Sequence, residues 1–217
     1  MKPYQDRRAA GQVLAEALRD YAGRQDLYVL GLPRGGVPVA KEVAQALNTP
    51  LDVLPVRKLG VPGHEELAIG AIAGDGGRVL NEVLLRQLRH TPEAIEQVEA
   101  RERRELERRE QAYRGDRPFP DLSGKTVILV DDGLATGATM KAAVASVRKR
   151  NPARVVVAVP VAPPETVRDL QNLADEMVCP LIPPSFEAVG EWYAEFPQTS
   201  DQEVLAALAE SNRGQQP

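Results

Sequence analysis

Val127-Ile-Leu-Val-Asp-Asp-Gly-Leu-Ala-Thr-Gly-Ala-Thr-Met140 is the stretch on which the fold turns. Four apolar, largely β-branched residues run straight into two adjacent carboxylates. Small and hydroxyl residues follow, and a helix-forming segment begins at about Ala138 and reaches Arg150. The pattern predicts a buried parallel strand, an acidic pair at its carboxyl end and an anion cradle at a helix N-terminus. Asp131 and Asp132 alternate sides on an extended chain, so direct chelation of one ion by both is disfavoured. Carboxylates beside an anion-binding loop suit a ligand that carries neighbouring hydroxyls and a phosphate. The competing account is an ordinary strand-turn-helix whose acids cap the helix.

This motif resembles the signature of the type I phosphoribosyltransferases, which bind 5-phosphoribosyl-1-pyrophosphate (PRPP). The resemblance implies that Asp131 and Asp132 hold the ribose hydroxyls. It implies equally that Ala135, Thr136, Gly137, Ala138 and Thr139 hold the 5-phosphate. Rival phosphate motifs are missing. No Gly-x-x-x-x-Gly-Lys-Ser/Thr run exists, and Gly31-Leu-Pro-Arg-Gly-Gly36 lacks the Gly-x-Gly-x-x-Gly spacing of a dinucleotide fold.

Strands alternate with helices outside the motif as well. The periodicity predicts an amphipathic helix over 7–22, with Val13, Leu14, Leu18 and Tyr21 on one face, and a strand at Leu27–Leu30. A helix at 37–47 and a strand at 51–56 follow. Apolar runs at 67–72 and 79–80 around Gly74-Asp-Gly-Gly77 predict a hairpin. Asn81 to Arg89 is expected to be helical, and Thr91-Pro92 opens a long helix dense in Glu and Arg, expected to be a solvated, salt-bridged face. The strand 126–130, the helix 137–150, the strand 154–161, the helix 164–173, the strand 176–179 and a last helix 201–211 complete the pattern. The expectation is an α/β fold with a Rossmann-like open parallel sheet flanked by helices. To this are added a flexible loop or hairpin, an inserted helical segment at about 92–114 and a small C-terminal hood at about 180–217. All of it is expected to form one domain over 1–217 with its core at about 27–179.

Composition narrows the classes. With 217 residues and a formal charge of −4 the chain has no net positive field for nucleic acid or anionic lipid. One cysteine, Cys179, forms no internal disulfide, and no cysteine–histidine cluster offers a zinc site. No apolar stretch reaches membrane-spanning length and the first residues are charged, so a reducing cytoplasmic setting is the expectation.

Three further pieces belong to the candidate site. Pro33-Arg-Gly-Gly36 follows the first core strand, where Gly35 and Gly36 let backbone N–H groups approach an anion and Arg34 offers a forked cation suited to phosphate oxygens. The loop resembles the pyrophosphate loop of the family, in which an unusual cis or strained peptide is frequent; a plain tight turn is the alternative. Arg57-Lys58 matches the Arg-Lys pair of orotate and adenine phosphoribosyltransferases, which leads into a mobile loop. That match implies contact with pyrophosphate. Some relatives carry a further loop lysine where this chain has Val61, and His64, with Glu65 and Glu66, is a candidate replacement; a solvated loop histidine is the alternative. His90 is expected at the surface. In the tail, Phe186, Trp192, Tyr193 and Phe196 cluster. Phe186 or Trp192 is a candidate for stacking on a base, against the alternative of a satellite core that pins the tail.

The resemblance implies a phosphoribosyltransferase that moves the phosphoribosyl group of PRPP to a nitrogen nucleophile such as a nucleobase, releasing pyrophosphate. Asp131, Asp132, Arg57 and Lys58 would be the catalytic set. Mg2+ would be the cofactor, held through PRPP and waters near the acidic pair, and a homodimer would be in keeping with the family. Two alternatives stay open: a regulatory protein that senses PRPP or nucleotide on the same fold, and a hydrolase of phosphoribosyl compounds.

Overall fold

The computed structural model describes residues 4–61, 64–74, 77–88 and 92–213. Five strands form a parallel sheet: β1 (Leu27–Gly31), β2 (Leu51–Val53), β6 (Thr126–Val130), β7 (Arg154–Ala158) and β8 (Glu176–Val178), in the order β2-β1-β6-β7-β8. The chain leaves β1 toward β2 and later returns to the other side of β1 as β6. The boundary between β1 and β6 is therefore the topological switch point, with a crevice beyond their carboxyl ends. The register brings Gly31 level with Val130, so the loops that follow both strands start side by side.

Both faces of this sheet are covered, which is why its strands are apolar without alternation. Val29, Ile128, Val130 and Val156 pack toward α1 (Arg7–Ala17), α2 (Gly36–Leu47) and α7 (Asp201–Arg213). Leu30, Val127, Leu129 and Val157 pack toward α5 (Ala138–Arg148) and α6 (Pro164–Gln171). The first helix is shorter than its periodicity predicts: it ends at Ala17, and a 3-10 turn at Arg19–Tyr21 completes the segment.

The segment expected as one strand over 51–56 divides. β2 stops at Val53, and β3 (Val56–Val61) joins a separate antiparallel sheet in the order β3-β4-β5, with β4 (His64–Ala73) and β5 (Arg78–Leu80). Pro55 explains the break, because it has no N–H to continue a ladder. The expected hairpin is present as β4 and β5, and β3 extends it by pairing Arg57 with Ile72 and Lys58 with Ala71. Arg57 and Lys58 thus stand on a strand at the base of this unit.

α3 (Glu82–Leu88) and α4 (Pro92–Arg114) follow. The expectation of a solvated α4 holds for only part of its surface. Leu106 is buried with Leu59, Val61, Ile69 and Ile72 in a third core cluster, and Tyr113 joins the main core. Its charges also act inside the protein. Arg114, 6% exposed, reaches Asp52 at 3.3 Å and donates to the Val53 carbonyl at 2.7 Å. Mixed charge density hid this buried stripe, since so few of the buried positions are apolar. Among the described residues no helix is long and apolar enough to cross a membrane.

Candidate active site at the carboxyl edge of the parallel sheet

Asp131 and Asp132 leave the end of β6 directly into the crevice. Their partners show why the sequence folds this way. The Leu32 N–H donates to the Val130 carbonyl at 2.8 Å, which draws the loop after β1 onto the loop after β6. A methyl group at Gly36 would lie 2.7 Å from the Val130 carbonyl oxygen and 2.8 Å from Asp131 Cα. One at Gly35 would lie 2.1 Å from Asp132 Oδ2. Gly36 is required for contact between the loops, and Gly35 leaves room for the Asp132 carboxylate, neighbours the sequence did not reveal. The Pro33–Arg34 peptide is cis, as the resemblance implied for this loop.

The two carboxylates have different surroundings. Asp131 Oδ1 accepts the Asp132 N–H at 2.9 Å. Burial, with the neighbouring Asp132 charge, holds the Asp131 carboxyl well above the usual carboxylate range. Burial also raises Asp132, against the pull of Arg7, whose Nε lies 2.8 Å from Asp132 Oδ2. A carboxyl pair under this desolvation and mutual repulsion, set in a crevice, is a typical ligand-binding arrangement.

Neither aspartate caps α5. Its N-cap is Gly137, at φ 70°, and no cap side chain bonds the first turn. Gly137 is needed for that left-handed turn. The loop is braced from outside by the Thr166 hydroxyl, which donates to the Ala135 carbonyl at 2.5 Å. Thr136, Ala138 and Thr139 therefore sit at a helix start with backbone N–H groups open to an anion.

A cleft of about 430 Å3 lies beside the start of α5, with Pro33, Arg57, Lys58, Arg101, Arg109 and Thr139 in its wall. The loop after β1, the Arg-Lys strand and the phosphate-type loop are thereby brought together. Arg101 and Arg109 come from α4 and had no local signal beyond their place in a charged helix. Arg57 is held by Glu102, Nη2 to Oε2 at 2.7 Å, while Lys58 is exposed and has no partner among the described residues. Lys58 also lines a neighbouring cavity of about 650 Å3 between Leu80, Val83, Thr136 and Lys141. Arg34 is not among the residues that line this cleft and lies 4.0 Å from Asp201. His64 contributes its backbone to β4, but its side chain, with those of Glu65 and Glu66, lies outside the described residues, as does His90.

The tail divides into two aromatic groups. Tyr193 stacks on Phe196 at 4.7 Å and donates its hydroxyl to the Asp132 carbonyl, which pins the tail to the acidic pair. Phe186 stacks on Trp192 at 6.3 Å, and the buried Trp192 indole N–H has no hydrogen-bond partner among the described residues. Arg7, like Arg101 and Arg109, was not singled out by sequence reasoning, which placed Tyr193 in the aromatic cluster without a contact to the acidic pair. An arginine at a helix start carries no signal of a contact to a residue 125 positions away.

Two carboxylates, one of them already ion-paired, cannot form an all-protein cation cage, and no group of three metal-binding side chains occurs among the described residues. They do fit a magnesium ion that keeps its waters and takes substrate oxygens.

A two-faced parallel sheet with an acidic pair and an open helix start at its switch point defines a phosphoribosyltransferase-type domain. The chain belongs to the phosphoribosyl transferase domain family, whose model matches residues 4–194. It is 48% identical over 213 residues to the Mycobacterium tuberculosis protein Rv0571c, provisionally named a phosphoribosyl transferase; the match covers 98% of this chain and 48% of that protein. The chain thus spans about half the length of the curated relatives it matches. The crystal structure of TT1426 from Thermus thermophilus is similar at 47% identity and a TM-score of 0.82, covering 97% of this chain and 99% of that one. The bifunctional protein PyrR of Corynebacterium diphtheriae is 27% identical over 143 residues, 65% of this chain and 56% of that protein.

Proposed function

We propose that this domain transfers the 5-phosphoribosyl group of PRPP to a nitrogen nucleophile, with release of pyrophosphate. The observation that carries the reading is the junction of the Asp131–Asp132 pair, the open start of α5 and the cationic cleft around Arg57 and Lys58. These suit in turn the three parts of the substrate: diol, 5-phosphate and pyrophosphate. The bond from ribose C1 to the pyrophosphate oxygen breaks, with both electrons leaving on pyrophosphate. A bond from C1 to the acceptor nitrogen forms, and the acceptor gives up a proton. Positive charge builds on the ribose ring, so positioning and electrostatics do most of the work.

Asp131 and Asp132 orient the ribose hydroxyls. Backbone N–H groups of Thr136 to Thr139 hold the 5-phosphate. Lys58 and Arg57, with Arg101 and Arg109 behind them, offset the charge that develops on pyrophosphate. Asp131 and Asp132 would hold a magnesium ion through its waters, and that ion would supply Lewis acidity to the departing pyrophosphate. A base would lie on the Phe186–Trp192 side, where stacking on an aromatic face contributes about 1–3 kcal/mol. The deciding experiment measures pyrophosphate release from PRPP and Mg2+ with purines, pyrimidines and nicotinate, using the Asp131→Asn, Asp132→Asn double variant as control. Release with one base supports transfer and names the acceptor. Release without any base replaces transfer by hydrolysis, and PRPP binding without release replaces it by sensing.

A further inference from the structure

Arg7 belongs to none of the motifs, yet it pairs with one of the two aspartates at the end of β6. It opens α1, whose start is fixed by Asp6 Oδ1 accepting the Ala9 N–H at 2.8 Å. From there the guanidinium makes three contacts at once. Nε meets Asp132 Oδ2 at 2.8 Å, Nη1 donates to the Pro197 carbonyl at 2.6 Å, and the plane lies 3.9 Å from the centre of the Phe196 ring. Phe196 stacks on Tyr193, and Tyr193 bonds the backbone of the same Asp132. The chain just before Arg7 pairs with the tail as well: the Tyr4 N–H donates to the Trp192 carbonyl at 2.6 Å, and the Ala194 N–H to the Tyr4 carbonyl at 2.7 Å.

We infer that Arg7 is a positioning residue, which fixes the Asp132 carboxylate for the vicinal hydroxyls of a ribose phosphate and ties that geometry to the C-terminal hood. The inference rests on the ribose reading of the acidic pair given above. Two adjacent carboxylates repel, and an unrestrained Asp132 side chain would turn away from Asp131. Gly35 leaves it space on one side, and the arginine cation holds it from the other. Both side chains of the ion pair are little exposed, at 11% and 14%, so the contact is poorly screened. A planar fork is needed to serve the carboxylate, the carbonyl and the ring together, which a lysine ammonium cannot do. Presetting a charged acceptor in this way lowers the ordering cost of binding.

Calorimetric titration of ribose 5-phosphate and 2-deoxyribose 5-phosphate tests this in the wild type, Arg7→Gln and Arg7→Lys. The phosphate loop serves both sugars alike, and only the acidic pair distinguishes them. Arg7→Gln should cut the preference for ribose 5-phosphate roughly tenfold, the worth of one charged hydrogen bond, and lower 2-deoxyribose 5-phosphate affinity far less. Arg7→Lys should recover part of the preference. An Arg7→Gln protein that keeps the full preference overturns the inference, and so does one that loses both sugars equally. Should Arg7→Gln fail to fold, Phe196→Leu, which removes only the ring beneath the guanidinium, should lower the same preference; an unchanged preference there overturns the inference too. A wild type that does not distinguish the two sugars overturns the ribose reading itself.

Discussion

Gly35→Ala separates the site from the fold better than any other single substitution. The backbone at Gly35 has φ −62° and ψ −33°, which alanine adopts freely, so the added methyl acts only through what it touches. It would lie 2.1 Å from Asp132 Oδ2 and 3.3 Å from Arg7 Nε. Restoring an ordinary 3.4 Å contact moves that oxygen by about 1.3 Å, the difference of 3.4 and 2.1. The 2.8 Å bond to Arg7 cannot survive such a shift. A carboxylate is the far end of a side chain and yields without moving the backbone, so the damage falls on the ligand. Loss of a charged hydrogen bond costs about 1.5–3 kcal/mol, or roughly 10- to 100-fold in PRPP affinity. Gly36→Ala makes the contrast: its methyl meets the Val130 carbonyl at 2.7 Å and Asp131 Cα at 2.8 Å, both backbone. Overpacking of that kind costs about 1–3 kcal/mol, or roughly 2–12 °C in Tm for a chain of this size. Calorimetry with PRPP and Mg2+, paired with thermal unfolding, reads both. Wild-type PRPP affinity in a folded Gly35→Ala protein would refute the placement of Asp132 in the ligand site.

Other outcomes follow from the same geometry. The Asp131→Asn, Asp132→Asn double variant should keep its fold by circular dichroism and lose PRPP binding; retained affinity would contradict the assignment. Asp131→Asn alone should raise Tm at pH 7, because a carboxyl whose folded pKa is raised costs stability once pH passes its unfolded value near 4. That gain should shrink toward zero as pH falls below about 4, where the carboxyl is protonated in both states, and a gain that persists there would contradict the cause given. Lys58→Ala, at an exposed side chain with no described partner, should weaken pyrophosphate binding several-fold with Tm unchanged. Arg114→Met should cost about 3–5 kcal/mol in denaturant unfolding, since it strands the buried Asp52 carboxylate; a loss under 1 kcal/mol would show that water or another cation reaches Asp52.

The sequence alone determined the parallel sheet and which residues stand at its edge. Val127 to Val130 had to be a buried strand, and an acidic pair followed by small residues could serve a sugar phosphate. Those features are local: side-chain period, β-branching and a helix start are written within a dozen residues. The resemblance to phosphoribosyltransferases rested on the same local run, and the family match bears it out. Tertiary structure decided everything that joins distant segments. It divided the segment 51–56 at Pro55 and turned Arg57-Lys58 into part of a strand. It buried one face of a helix whose charges looked solvated, and it brought Arg101 and Arg109 to the cleft. It also placed Arg7 on Asp132 and Tyr193 on the backbone of the same residue. Such contacts depend on how the ends of the chain meet over the sheet edge, and no spacing along the sequence encodes that meeting. Gly35 shows both sides: its smallness is plain in the sequence, but the atom it makes room for appears only when the two loops lie together.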